Sequence, residues 1–91
     1  MSGFVSSAPE YGIDSKGFKI MTFMVSCLNA SDMEDKYTHY RCTYHIPSKL
    51  KVGDQVFLFG RLMAGIRKDK NGESFVDLMV SVDLLETGKS A

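Results

Sequence analysis

The stretch LKVGDQVFLFGRL, residues 50–62, decides the fold of this chain. It contains a turn at Gly53-Asp54, because glycine adopts backbone angles that other residues avoid and aspartate bonds its own backbone. A strict two-residue alternation follows, which is the side-chain period of a β-strand. Gly60 lies within it, and an isolated strand glycine is typical of a bulge or a sharp bend. The stretch therefore predicts a turn followed by a bent strand.

The two faces of this predicted strand differ in chemistry. One face is aliphatic and suits a protein core, whereas the other carries two phenylalanines and an arginine and needs a different explanation. The core-facing set is Val56, Leu58 and Leu62, and the outward set is Phe57, Phe59 and Arg61.

The composition is that of one small globular domain. The chain has 91 residues, of which 44% are hydrophobic and 24% charged, and this allows a single modest core. It has neither a long apolar run nor a signal-peptide pattern, so we expect a cytoplasmic protein without a membrane span. Two cysteines, Cys27 and Cys42, are too few for a disulfide scaffold and indicate reduced thiols, although a bridge across a hairpin stays open.

The charge is neutral overall but unevenly distributed. Residues 1–35 carry two lysines against five acidic residues, residues 36–70 carry eight basic against two acidic, and residues 71–91 carry one against four. The central third therefore has a net charge of +6 between two flanks of −3 each. This distribution predicts one positive face, which suits a nucleic-acid partner. Chance segregation of surface charge is the alternative.

Three further segments are rich in β-branched and aromatic residues, and each predicts a strand. They are FKIMTFMVSCL at residues 18–28, YTHYRCTYHI at 37–46 and FVDLMVSVDLL at 75–85. Together with a short apolar opening at residues 1–5 and the strand within 50–62, they indicate an all-β domain of about five strands. That number suits a small barrel. No stretch has sustained helical periodicity.

The connections between these segments carry turn chemistry. Residues 15–17 and 70–72 predict turns, the second of them a hairpin. Residues 29–36 predict a polar loop, and Pro47 ends its strand because proline cannot donate to a sheet ladder. Residues 48–53 leave room for at most one helical turn, so little or no helix is expected between strands three and four.

Strand parity predicts which side chains of the two long central strands face the core. The expected inward set is apolar on both strands, and the tyrosines in it are expected to be core residues. The first strand contributes Met21, Phe23, Val25 and Cys27, and the second contributes Tyr40, Cys42, Tyr44 and Ile46.

The motifs favour neither a metal site nor an enzyme. His39, Cys42 and His45 are close in sequence, but on a strand Cys42 points away from both histidines, and no fourth ligand is suitably spaced. The chain has no activated nucleophile, paired-carboxylate motif or phosphate-cradling glycine loop. A binding protein without a metal or cofactor is therefore expected.

In their order and spacing, four segments resemble the bacterial and phage single-stranded DNA-binding protein family, which has the oligonucleotide-binding (OB) fold. Residues 2–10 are similar to its first strand and small-x-Pro-Glu loop, and residues 17–25 to its Gly-x-x-Val-x-x-Phe strand. Residues 50–62 are the closest match, and residues 69–72 resemble its fourth hairpin. The resemblance implies a five-stranded Greek-key barrel over residues 1–86 and a short polar tail at 87–91.

This chain departs from the family pattern in three respects. The short connection between strands three and four is more like the primosomal replication protein B branch or a compact phage version. The chain has no tryptophan, and the positions at which the family presents stacking aromatics fall near His39 and His45. The family's long tail with an acidic tip is missing, so recruitment of other enzymes through that tip is not implied.

The resemblance implies binding of single-stranded DNA, or RNA, without sequence preference. Such binding needs flat side chains on which bases stack and a cationic groove for phosphates. Arg41 matches an outward family position with His39 beside it, and basic residues follow at the strand end and the hairpin. The predicted nucleic-acid-binding residues are Lys19, Tyr37, His39, Arg41, Phe57, Phe59, Arg61, Arg67, Lys68 and Lys70.

Other interpretations of the same residues stay open. Phe57 and Phe59 can instead form a subunit interface, because exposed apolar patches mark contacts. Residues 67–70 can be only a solvated hairpin tip. A homodimer or homotetramer is expected, because one barrel provides a track of only about 4–16 nucleotides.

The family implies a role in bacterial or phage DNA replication, recombination or repair, with other replication proteins as further partners. The rival function is an OB-fold module that binds a protein partner in a replication or conjugation complex. Neutral charge and the absence of tryptophan favour that rival.

Overall fold

The computed structural model describes residues 1–29, 36–46 and 48–88, and within them every regular element is a β-strand. The all-β prediction is therefore confirmed. Pro47, most of the polar loop predicted at residues 29–36 and the end of the predicted tail lie outside the described residues. The strands are β1 (Ser2–Val5), β2 (Glu10–Ile13), β3 (Lys19–Leu28), β4 (Tyr37–Tyr44), β5 (Gln55–Lys68) and β6 (Ser74–Gly88).

None of the described residues belongs to a helix of the length and apolarity that a membrane crossing requires.

The strand pairings form a cycle. They run from β1 through β5, β6, β4 and β3, and β3 pairs with β1 again. All pairs are antiparallel except β4 with β6, which is parallel. This is the strand arrangement expected for an OB-fold barrel.

The strand β2 is the one element that the sequence does not predict. It pairs with residues 19–22 of β3, while β1 pairs with Val25 and Ser26 further along the same strand. The two short strands are therefore successive halves of one strand along β3, interrupted at residues 6–9. The five-stranded arrangement is preserved, because the first of the five strands is simply broken in two.

The turn and the bulge predicted within residues 50–62 are both confirmed. Gly53 has a φ of 95°, and the amide of Lys51 donates to the Asp54 carboxylate at 2.9 Å. The register of β5 on β6 shifts between Phe59 and Gly60, which leaves Asp83 without a partner across the ladder. A Cβ on Gly60 would collide with the backbone at Ser81.

The core is formed by the inward parity of the long strands and one face of β1. Cys27 and Tyr40 pack partly buried against its edge. The buried hydrophobic residues are Val5, Met21, Phe23, Val25, Cys42, Tyr44, Leu50, Val56, Leu58, Val80 and Val82.

Two residues expected in the core are exposed, namely Leu62 and Ile46. Leu62 lies beyond the bulge, where β5 has left β1 and pairs only with β6. Its partner Val80 on β6 is still paired with Cys42 on β4, so Leu62 lies on an edge strand with no further strand of the described residues beside it. From Ala64 opposite Leu78 onwards, β5 and β6 pair only with each other and continue as a two-stranded ribbon. Ile46 lies past the end of β4 at Tyr44, so no neighbouring strand covers it.

The two cysteines are free thiols on different levels of the sheet. Cys42 lies opposite Phe23, whereas Cys27 lies opposite Thr38. Burial raises the pKa of the Cys42 thiol to about 12, so this side chain behaves as a small apolar core residue.

The same arrangement stabilises two hairpin turns: one carboxylate oxygen of an aspartate accepts two backbone amides of the turn. One side-chain oxygen of Asp14 accepts the backbone amides of residues 16 and 18, each at 2.9 Å. One oxygen of Asp69 accepts those of residues 71 and 73, also at 2.9 Å. Each turn ends on a glycine with positive φ, 85° at Gly17 and 80° at Gly72. The hairpin predicted at residues 70–72 is confirmed.

We expect Gly60→Ala to lower the free energy of unfolding by about 1–3 kcal/mol, because the new methyl group overlaps backbone atoms that cannot rotate away. Gly65→Ala is the matched control on the same strand, since its Cβ would meet only the Met79 methyl at 3.7 Å. Urea unfolding followed by circular dichroism measures both. Equal stability of the two variants would contradict the role of Gly60 in the bulge.

Candidate nucleic-acid interface

Three aromatic side chains line one open groove on the outer surface, where β1 lies between β3 and β5. The groove has a volume of about 380 Å³. Phe4 and Tyr37 meet edge to face, with ring centroids 5.5 Å apart and ring planes at 86°. Phe57 lines the same groove and is 60% exposed. The groove therefore presents aromatic surface to solvent.

The groove follows from strand parity and from the narrow path of β1. Val5 points into the core, so Phe4 points outward, where it lies opposite Ser26 on β3 and Gln55 on β5. Gly3 allows β1 to lie this close to β3, because a Cβ there would stand 2.5 Å from the Ser26 carbonyl oxygen. Phe4 was not predicted as a site residue, although the alternation of residues 2–5 signals its outward direction.

His39 and Arg41 extend the surface from the groove along β4. His39 lies opposite Ser26, and its Nδ1 is hydrogen-bonded to the Ser26 hydroxyl at 2.5 Å. Arg41 follows on the same face, between Met24 on β3 and Met79 on β6. Because Ser26 also lies opposite Phe4, the groove and Arg41 belong to one continuous outer surface. We call this surface, from Phe57 through His39 to Arg41, the β3–β4 face.

An ion-pair cluster that the sequence does not predict lies at the end of this face. Asp77 accepts a hydrogen bond from Arg41 Nη2 at 2.7 Å and one from Arg67 Nη1 at 3.3 Å. The Asp77 side chain is only 10% exposed, against 36% for Arg41 and 56% for Arg67. The one available signal was an acidic residue in the outward parity of the valine-rich last strand.

The cluster perturbs the carboxyl group of Asp77. Burial alone would raise its pKa, but the hydrogen bonds and positive charges of Arg41 and Arg67 outweigh burial and lower it. Asp77 is therefore ionised at neutral pH, and the cluster of two arginines and one aspartate has a net charge of +1.

The other predicted site residues are distributed around this face. Arg61 lies opposite Ser81, two residues along β5 from the Met63–Met79 pair, and Lys68 and Lys70 are exposed at the ribbon end. Phe59 is 67% exposed opposite Leu84, outside the aromatic groove. Lys19 is separated from Ser26 by roughly 23 Å of extended strand. The structure thus brings together Tyr37, His39, Arg41, Phe57 and Arg67, and it leaves Lys19 and Phe59 apart from them.

Comparison with known proteins gives the fold. No family model matches the sequence, and no curated protein matches it either. A small single-stranded DNA-binding protein from Streptomyces coelicolor superposes with a TM-score of 0.78 at 16% identity, over 96% of this chain and 89% of that one. A Plasmodium falciparum SSB in complex with ssDNA superposes with a TM-score of 0.67 at 16% identity, over 98% of this chain and 91% of that one. The resemblance inferred from the sequence is therefore confirmed for the fold.

Acid is expected to destabilise the protein as the pH falls below the ordinary aspartate pKa of 3.8. The pKa of Asp14 is lowered, chiefly by the Phe18 amide and also by His45, and that of Asp77 is lowered by its two arginines. The unfolded chain then binds more protons than the folded chain, so stability present above this pH is lost below it.

The measurement is the melting temperature as a function of pH, from about pH 6 to about pH 2. Asp77→Asn is expected to make the melting temperature fall less steeply with acid, because it removes one of the two carboxyl groups whose pKa is lowered among the described residues. If the melting temperature of that variant falls with acid as steeply as that of the unmodified chain, Asp77 is excluded as a source of the acid sensitivity.

Proposed function

We propose that residues 1–86 of this protein bind single-stranded nucleic acid, DNA in the first instance, without sequence preference. The observation that carries the proposal is the continuous surface from the aromatic groove through His39 to Arg41. Such a surface supplies rings for base stacking and cations for phosphates, the two requirements of non-specific single-strand binding. No catalytic step is part of the proposal.

Base stacking is assigned to the aromatic groove. Phe57 and Tyr37 are exposed on it, and the edge-to-face contact with Phe4 fixes the orientation of the Tyr37 ring. An immobilised ring loses little conformational entropy when a base stacks on it. Each stacked base contributes about 1–3 kcal/mol. Two stacked bases would therefore supply a substantial part of the roughly 8 kcal/mol binding free energy of a micromolar complex.

Phosphate contacts are assigned to the β3–β4 face and the two hairpin ends beside it. OB folds bind oligonucleotides on the face of their second and third strands and through the adjoining loops. Those strands are β3 and β4 here, and Arg41 lies on β4 next to Met79 of β6. Strand β5 and the hairpin after it add the basic side chains Arg61, Arg67, Lys68 and Lys70. Lys19, roughly 23 Å along β3 from Ser26, is proposed as a contact for a more distant phosphate of the same strand.

The two similar structures support this proposal. One is a single-stranded DNA-binding protein and the other is an SSB bound to ssDNA, and each is covered over most of its length. The likeness supports the further proposal of a role in DNA replication, recombination or repair in the bacterial or phage-infected cytoplasm, where RNA is the competing single strand.

Assembly into a homodimer or homotetramer is part of the proposal. Phe59 and Leu84 are exposed side by side on the outward face of the β5–β6 ladder, and Leu62, Ile66 and Val76 are exposed on its opposite face. Exposed apolar surface of this kind is typical of a contact between proteins. A protein partner in a replication or conjugation complex is the competing occupant of these two faces.

The proposed function is tested by fluorescence anisotropy of a labelled oligo-dT of about 30 nucleotides, against a duplex of equal length. We expect binding to the single strand that weakens steeply between about 50 and 200 mM salt, because phosphate neutralisation releases counterions. Failure to bind the single strand would overturn the proposal and leave the protein-binding module as the function.

Phe57→Ala is expected to weaken binding of the oligo-dT by about 5- to 150-fold, the loss of one stacked base. Phe59→Ala is the matched control, because Phe59 has similar exposure on the same face of β5 but lies outside the groove. We expect it to lose less affinity. Light scattering on both variants reports the oligomer, and monomers with unchanged intrinsic affinity would assign the altered ring to the subunit interface instead.

A further inference from the structure

Asp77 joins two arginines from different strands through a single atom. Its Oδ2 accepts both Arg41 Nη2 from β4 and Arg67 Nη1 from the ribbon part of β5. Gly65 lies directly opposite Asp77 on β5, so no side chain separates the carboxylate from Arg67. The two guanidinium groups are thereby held within reach of one further anion.

The environment of the cluster strengthens this arrangement. Arg41 lies between Met24 and Met79, and its Nε is buried without a hydrogen-bond partner among the described residues. Apolar neighbours lower the local dielectric, which strengthens charge-assisted hydrogen bonds. Each guanidinium still has N–H donors that Asp77 does not use, since an arginine carries five.

The charge of the cluster differs from that of two independent arginines. Two separate arginines on a nucleic-acid face would neutralise two phosphates. With Asp77 ionised between them, the cluster carries one net positive charge. The Asp77 side chain is 10% exposed, whereas those of Arg41 and Arg67 are 36% and 56% exposed, so a phosphate would reach the free donors of the arginines and would not replace the carboxylate.

We propose that Arg41, Asp77 and Arg67 form one phosphate-binding subsite, in which Asp77 positions both guanidinium groups and cancels one of their charges. The inference rests on the proposed function, because the phosphate belongs to the bound single strand. Asp77 is a positioning residue that does not itself contact the ligand. The subsite binds one phosphate, and both arginines are needed for it.

This arrangement makes the two arginines non-additive. The subsite binds one phosphate and needs both guanidinium groups, so removing either arginine already loses that phosphate, and removing the second loses no further phosphate contact. If the two arginines were independent, each substitution would remove one phosphate contact. The slope of log K against log salt measures the difference, because each phosphate neutralised on a single strand contributes about −0.7 to it.

The first arm of the test compares Asp77→Asn with Asp83→Asn, which changes the net charge equally. Asp83 is exposed at the bulge on the same strand and forms no ion pair within residues 1–29, 36–46 and 48–88. Asp77→Asn is expected to steepen the oligo-dT salt slope by about 0.7, since two phosphates can then be neutralised. Between about 50 and 200 mM salt it should lose about two- to threefold more affinity than the unmodified chain. Asp83→Asn should leave the slope unchanged.

The second arm is a cycle of Arg41→Gln, Arg67→Gln and the double variant, measured with Asp77 in place, and it does not depend on the folding of Asp77→Asn. Each single substitution is expected to flatten the slope by about 0.7, and the double should flatten it no further. Additive flattening, or an unchanged slope in a folded Asp77→Asn, would overturn the subsite while leaving single-strand binding intact. Absence of binding by the unmodified chain would overturn the proposed function and the subsite together.

Discussion

The antiparallel ladder between β5 and β6 is the interaction on which the other surfaces of this protein depend. It runs from Gln55 opposite Gly88 to Lys68 opposite Ser74, and the shift at Gly60 divides it in two. Before the bulge the ladder is a wall of the barrel, with Val56 and Leu58 buried behind it. Beyond the bulge β5 becomes an edge strand, and from Ala64 opposite Leu78 the ladder continues as the two-stranded ribbon. One ladder therefore carries the exposed rings of Phe57 and Phe59 before the bulge and the basic side chains of β5 after it. Gly60, which has no room for a Cβ, lies between the two parts.

The direction of the side chains on each strand could be predicted from the sequence, because side chains alternate along a strand with a period of two. Val56 and Leu58 point inward while Phe57 and Phe59 point outward, as the alternation predicts. Parity fixes only direction, however, and burial also needs a neighbour. Leu62 has the inward parity but lies where β5 has no partner besides β6, and it is exposed. The same limit applies to Ile46 beyond the end of β4.

For the candidate site, too, the sequence predicted the direction of side chains but not which of them meet. Parity identified His39, Arg41 and Phe57 as outward residues, but which of them meet depends on pairings between strands far apart in the chain. Phe4 reaches Tyr37 because β1 pairs with β3, and Asp77 reaches its two arginines because β6 lies between β4 and β5. A period of two within one segment contains no information on such neighbours.

The same pairings change how the charge of the middle third acts. Counted along the chain, residues 36–70 have a net charge of +6, yet Asp77 from the last acidic third lies on the face that carries Arg41 and Arg67. The parallel pairing of β4 with β6 brings that carboxylate there, so the local charge is smaller than the count suggests. In the proposed binding mode, a face of reduced charge beside exposed aromatic rings would draw less of its binding energy from phosphates, which single strands and duplexes share, and more from unstacked bases. Those bases are accessible only in a single strand. Neutral net charge is then compatible with the proposed function, in which the rings would supply selectivity and the arginines a limited phosphate contribution.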